Sequence, residues 1–171
     1  MSKVIDNRHN ISYDILKNEI ISRLGGLSKM KDIANKLFDY LGLESIEIKY
    51  EELGEEDSRF YTKELYIAIN TKYYNDELES LKCLIHEIRH YYQLTVVAYE
   101  VDMEPQYQYW KEEFKMNNLR PEDSMCLHIE IDAYAFTKYI LKEWLGIVYH
   151  HYDKNYDVLL EKFIKHYYIR I

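Results

Sequence analysis

The chain has 171 residues, two cysteines, and a net charge of −8 from 22 basic and 30 acidic side chains. That length suits one domain with a core of its own, and the acidic balance argues against general binding to nucleic-acid backbones. Cys83 and Cys126 are too few for a disulfide scaffold and read as buried, free thiols in a reducing compartment. No apolar stretch approaches a membrane span and Met1 to His9 lacks a signal-peptide core, so a cytoplasmic protein that stays out of the membrane is expected.

The first predicted element is a helix from Ser12 to Leu24, stopped at Gly25-Gly26. A second starts at Ser28 and stops at Gly42, burying Leu27, Met30, Ile33, Leu37 and Leu41. The period then changes. Ser45 to Tyr50 and Glu64 to Ile69 alternate as strands do, and with Arg59 to Thr62 they predict a small antiparallel sheet. A long helix follows behind Asn75 as N-cap, with early acids that suit its dipole and an apolar face of Leu78, Leu81, Leu84, Ile85 and Ile88. Beyond it the pattern predicts a short helix from Pro105 to Met116, a long one opened by Pro121 and ended at Gly146, and a last one from Tyr156 to Tyr168. Neither repeat nor linker divides the chain, so a single α+β domain over residues 1–171, mostly helical, is expected.

The first long helix after the strands carries His86-Glu87-Ile88-Arg89-His90, an HExxH pattern. Histidines four residues apart lie about 40° apart around a helix axis, so both imidazoles reach one ion. Glu87 is about 100° round from His86, beside the ion rather than on it, where it can take a proton from water. Arg89 is expected in an ion pair at the surface or behind the ligands.

A catalytic zinc usually takes three protein ligands, so a partner is needed from elsewhere. The helix after Pro121 reads His128-Ile129-Glu130-Ile131-Asp132-Ala133-Tyr134-Ala135-Phe136, and Glu130, Ala133 and Phe136 fit an E-x-x-A-x-x-F pattern. Glu130 and Asp132 lie about 200° apart on a helix, so only one of them can face the ion. Asp132, His150 and His151 remain alternative ligands, and His128 is spaced to pair with Asp132 or to bind metal with it. Together the two motifs and the order of elements around them resemble the gluzincins, most closely the small intracellular ImmA/IrrE-like peptidases. The resemblance implies a minimal zincin core with one zinc per chain on His86, His90 and Glu130, Glu87 as general base, and a narrow intracellular peptide or protein substrate. It also implies that the strand from Glu64 to Ile69 is the edge on which an extended substrate lies. The alternative is a non-catalytic protein-binding module, such as one from a mobile genetic element, with structural zinc or none. The 19 tyrosines, among them Tyr73-Tyr74, Tyr91-Tyr92 and Tyr167-Tyr168, read mainly as amphipathic filling between helices and solvent.

Overall fold

A computed structural model describes residues 27–116 and 125–168. The helix expected from Ser12 to Leu24 lies outside them, as does Pro121. In chain order the elements are α1 (Leu27–Leu41), β1 (Glu47–Glu51), β2 (Ser58–Tyr61), β3 (Tyr66–Asn70), α2 (Glu77–Ala98), α3 (Tyr107–Glu113), α4 (His128–Leu145) and α5 (Lys154–Tyr167). This is the expected α+β class. No helix among the described residues is long and apolar enough to cross a membrane.

The sheet has the order β1-β3-β2 and is mixed: β2 pairs with β3 antiparallel, as expected, but β1 pairs with β3 in parallel. Alternation along a strand specifies which face is buried, not the direction of its neighbour, so the parallel pair left no local signature. One consequence corrects the expected substrate edge. The strand Tyr66–Asn70 is central, with neighbours on both sides, and Ile67, Ala68 and Ile69 are fully buried. Among the described residues the edge strands are β1 and β2.

The α2 helix runs through the middle of the molecule and touches α1, α3, α4, β2 and β3. Its N-cap is Asp76, one residue after the Asn75 expected, with the Asp76 carboxylate accepting the Glu79 amide. Leu78, Leu81, Leu84, Ile85 and Ile88 are all buried, joining Leu37, Phe38, Ile67, Ile69 and Phe136 in the main core. Apolar spacing at i, i+3, i+4 and i+7 therefore fixes which side of α2 faces inward. Ala133 and Ala135 on α4 are fully buried, and such small side chains permit close approach of the flanking helices. Gly146 ends α4 with φ 67°, a left-handed cap that strains any residue with a Cβ.

At its other end α4 lacks a side-chain cap of its own, because Leu127 has no acceptor to offer. Glu113, at the end of α3, supplies one: its carboxylate accepts the backbone amides of His128 and Ile129, each at 2.9 Å. A carboxylate there also meets the positive end of the helix dipole. The segment between α2 and α4 thus fastens the start of α4.

Lys138 of α4 is buried and donates to Asp157 of α5 at 2.5 Å, with Glu161 at 2.9 Å. Burial alone would raise the Asp157 carboxyl, but Lys138, the His151 amide and His150 outweigh it and hold it at about 2. A carboxyl depressed in the folded state contributes stability above its unfolded value, and that stability is lost as pH falls through the folded one. Acid titration should therefore cost the wild type about 2 kcal/mol between about pH 4 and pH 2 that Asp157→Asn does not lose. Chemical denaturation at several pH values checks this, and parallel pH profiles for the two proteins would count against it.

Candidate metal centre

The HExxH turn lies in the middle of α2, more than two turns from the N-terminal end and about two from the C-terminal end, where fraying of the ends does not reach. His86 and His90 stack one turn apart with ring centroids 4.6 Å apart, and their Nε2 atoms approach to 2.9 Å. Glu130, in the first turn of α4, comes against both: its Oε2 is 3.3 Å from His86 Nε2 and its Oε1 is 3.4 Å from His90 Nε2. The ligand-type atoms of all three lie within 4.8 Å of one another, forming a group that can hold one metal ion. Ligand atoms about 2.0–2.1 Å from a tetrahedral ion lie about 3.3 Å apart, and each histidine stands at about that separation from a different Glu130 oxygen.

Each of the two helices contributes its own charge setting. Burial disfavours charge on His90, but the Glu130 carboxylate, together with Glu87 and Gln93, outweighs it and raises the imidazole to about 9. Burial likewise opposes ionisation of Glu130, yet His90 and His86 hold its carboxyl well below the usual carboxylate range. The protein on its own thus keeps an ionised carboxylate against a protonated imidazole. An ion entering the site takes the place of that proton.

Glu87 is buried and does not join the group. Ser58 on β2 donates to its Oε1 at 2.7 Å, leaving Oε2 without a protein partner among the described residues. Both groups line a cleft of about 790 Å³ that also exposes His86, His90 and Glu130. One wall is β2, contributing Ser58, Arg59 and Phe60; the other is α4 with the loop after it, contributing Tyr134, Tyr149 and His151. Asn70 donates to the Asp57 carbonyl and Leu65 to that of Tyr61, so alternate residues of β2 spend their backbone groups on β3. By antiparallel alternation the backbone groups of Ser58 and Phe60 point to the other side, along the free edge.

The alternative ligands are placed elsewhere. Asp132 is fully buried on the far side of α4, where its Oδ2 accepts Arg89 Nε at 2.7 Å and its Oδ1 accepts Arg89 Nη2 at 3.1 Å. Arg89 itself is buried and sits against the rings of Tyr92, Trp110, Phe136 and Tyr168. His128 does not pair with Asp132. Its Nδ1 lies 2.8 Å from Glu113 and its ring stacks on Tyr109, because the start of α4 is covered by α3. His150 is exposed beside Asp157, whereas His151 is buried and lines the cleft without joining the metal group. Cys83 is a buried thiol on the cleft wall, pushed up to about 12 by burial. Cys126, expected to be buried, is exposed.

Sequence reasoning missed Ser58, Gln93 and Tyr134. Tyr134 follows Glu130 by four residues and so shares its face, a local signal that was available. Its ring packs on His86 at 4.5 Å, and its hydroxyl has no hydrogen-bond partner among the described residues. Gln93 is three residues from His90, and its Oε1 lies 2.8 Å from His90 Nδ1. Ser58 had no such signal, since its contact with Glu87 arises only when the sheet docks on α2.

In comparison with known proteins, no family model matches this sequence, and no curated protein or solved structure is significantly similar to it.

Removal of the Asp132 carboxylate leaves the Arg89 guanidinium buried without its counter-charge. Asp132→Ala should therefore lose about 3–5 kcal/mol of stability, although the carboxylate bonds Arg89, Gln93 and Tyr168 and is not one of the metal group. Urea denaturation measures this. A loss below about 1 kcal/mol, the value of an exposed pair, would mean that Arg89 reaches solvent.

Proposed function

We propose that the chain is a zinc-dependent peptidase of the gluzincin type, cutting a peptide bond of an intracellular protein. The observation that carries this reading is the convergence of His86, His90 and Glu130, from two separate helices, beside a carboxylate that does not join them. A purely structural site gains nothing from Glu87 held with one oxygen free towards a cleft. Two imidazoles and one carboxylate, with the fourth side open, suit catalytic zinc better than a closed structural site. The chemistry supplied by the ion when bound is polarisation of a carbonyl and a lowering of the pKa of water towards about 7.

The remaining roles fall to the chain's own side chains. Ser58 holds Glu87 Oε1, so Oε2 is the atom that accepts the proton of the attacking water and passes it to the leaving amine. Tyr134 offers an unpartnered O–H next to His86, placed to donate to the carbonyl oxygen as negative charge develops there. The free edge of β2 can add one more extended strand through the backbone groups of Ser58 and Phe60. That strand addition would lay a peptide along the cleft wall that Ser58 shares with Glu87, replacing β3 in the role first expected of it. An acidic protein with such a cleft needs no nucleic-acid or membrane partner to work.

One zinc per chain is expected when metal-free, folded protein is titrated and followed by native mass spectrometry. His86→Ala and His90→Ala should each lose it, because two remaining ligands seldom hold zinc tightly. Failure of the wild type to form a 1:1 complex would reject the zinc reading.

Glu87→Gln should keep the metal and lose turnover by at least about 100-fold in a peptide-library cleavage assay. Loss of zinc instead would make Glu87 a ligand. A zinc-loaded wild type that binds peptides from the library and cuts none would favour the non-catalytic binding module.

A further inference from the structure

Gln93 is fully buried, so its amide cannot exchange partners with water. Its Nε2 donates to Asp132 Oδ2 at 2.7 Å and to the Ile129 carbonyl at 2.9 Å. Neither neighbour has a proton to give. A backbone carbonyl only accepts, and both Asp132 oxygens are already occupied by donors. Arg89 Nε shares Oδ2 with Gln93, while Arg89 Nη2 and the Tyr168 hydroxyl share Oδ1. An amide turned the other way would set its oxygen against two acceptors in a site closed to water, at a cost of several hydrogen bonds. Gln93 Oε1 must therefore face His90, and an amide oxygen can only accept. His90 Nδ1 must then carry a proton in either charge state, which leaves Nε2 as the nitrogen that can give up its proton and offer a lone pair to an ion.

We infer that Gln93 is a positioning residue that makes the buried Arg89–Asp132 pair dictate which nitrogen of His90 is offered to the metal. The inference rests on the zinc reading for its purpose, though not for its geometry. Direction along the chain of contacts runs one way, because a guanidinium has donors and no acceptor. Arg89 fixes Asp132 as acceptor, Asp132 fixes the amide, and the amide fixes the imidazole. The other histidine is handled differently. His86 Nδ1 is buried with no hydrogen-bond partner among the described residues, and its ring rests on Tyr134 instead. His90 is thus the ligand set in advance, and His86 the one that adjusts.

The test uses the full chain, with NMR of the histidine rings and zinc affinity measured by competition with a chelator. In metal-free wild type the His90 Nδ1 proton should be protected from solvent exchange, and after zinc loading the ion should sit on Nε2. Gln93→Met keeps the side-chain length and removes the amide; it should bind zinc about 10–100-fold more weakly and lose the protected proton. Tyr168→Phe takes a donor from Asp132 without touching the amide, and should leave the protected proton in place and zinc affinity unchanged within about threefold. An Nδ1 proton that exchanges as fast as a free imidazole's, zinc on Nδ1, or unweakened binding by Gln93→Met would each overturn the inference. Should Gln93→Met fail to fold, the wild-type proton still decides. A wild type that takes up no zinc would remove the zinc reading instead, while the metal-free measurement continues to judge the role of Gln93.

Discussion

The buried pair of Arg89 on α2 and Asp132 on α4 ties together the two long helices that carry the metal group. Two charges removed from water cost several kcal/mol each, and the cost is recovered only when their geometry and remaining hydrogen bonds are satisfied. Here both carboxylate oxygens receive two donors, and the guanidinium sits among four aromatic rings. Any slip of α2 along α4 would break that arrangement. The register it enforces is the register in which Glu130, two residues before Asp132, meets His86 and His90. Burial opposes charge on Arg89, but Asp132 and Tyr168 outweigh it and raise the guanidinium above its ordinary value.

Around this pair the molecule is organised to hold side chains still. All three members of the metal group stand on helices, two in the middle of α2 and one in the first turn of α4, and sites on rigid elements are more precise than sites on loops. The first turn of a helix is its weakest part. Glu113 offsets that weakness by capping α4 from outside, so the segment between the two long helices has a structural task at the site's border. Tyr168 brings α5 into the same network, which explains why a tyrosine at the end of that helix turns inward rather than towards solvent. Tyr92 behaves similarly, spanning from the Arg89 guanidinium to Glu104 with an apolar ring and a polar tip.

The sheet contributes orientation rather than ligands. Because β3 is buried between β1 and β2, only β2 reaches the cleft, and its Ser58 bonds Glu87 from across the gap. A parallel β1–β3 pair needs a crossover, and here β2 itself lies within that connection. The chain thereby returns with an antiparallel strand on the cleft side, whose Ser58 and Phe60 backbone groups have no strand partner among the described residues.

The periodic signals were legible in the sequence. The apolar spacing in α2, the Gly146 stop, the spacing of His86 and His90, and the rule that only one of Glu130 and Asp132 can face an ion are all local properties of a helix, where 3.6 residues per turn determines who shares a face. The preference for Glu130 came from the E-x-x-A-x-x-F resemblance. The direction of β1 against β3, the edge position of β2, and the partners of Glu87, His128 and Arg89 depend on how elements meet. Nothing within one element encodes them. Arg89 shows the difference most clearly: its charge and place in the motif suggested an ion pair, but only the packing of α4 and α5 around α2 buries it and gives it Asp132. Spacing along one helix is enough to say which side chains can share an ion. Which of them meet is a matter of packing, because a hydrogen bond or ion pair between distant residues forms only after their helices have been brought into register by the core.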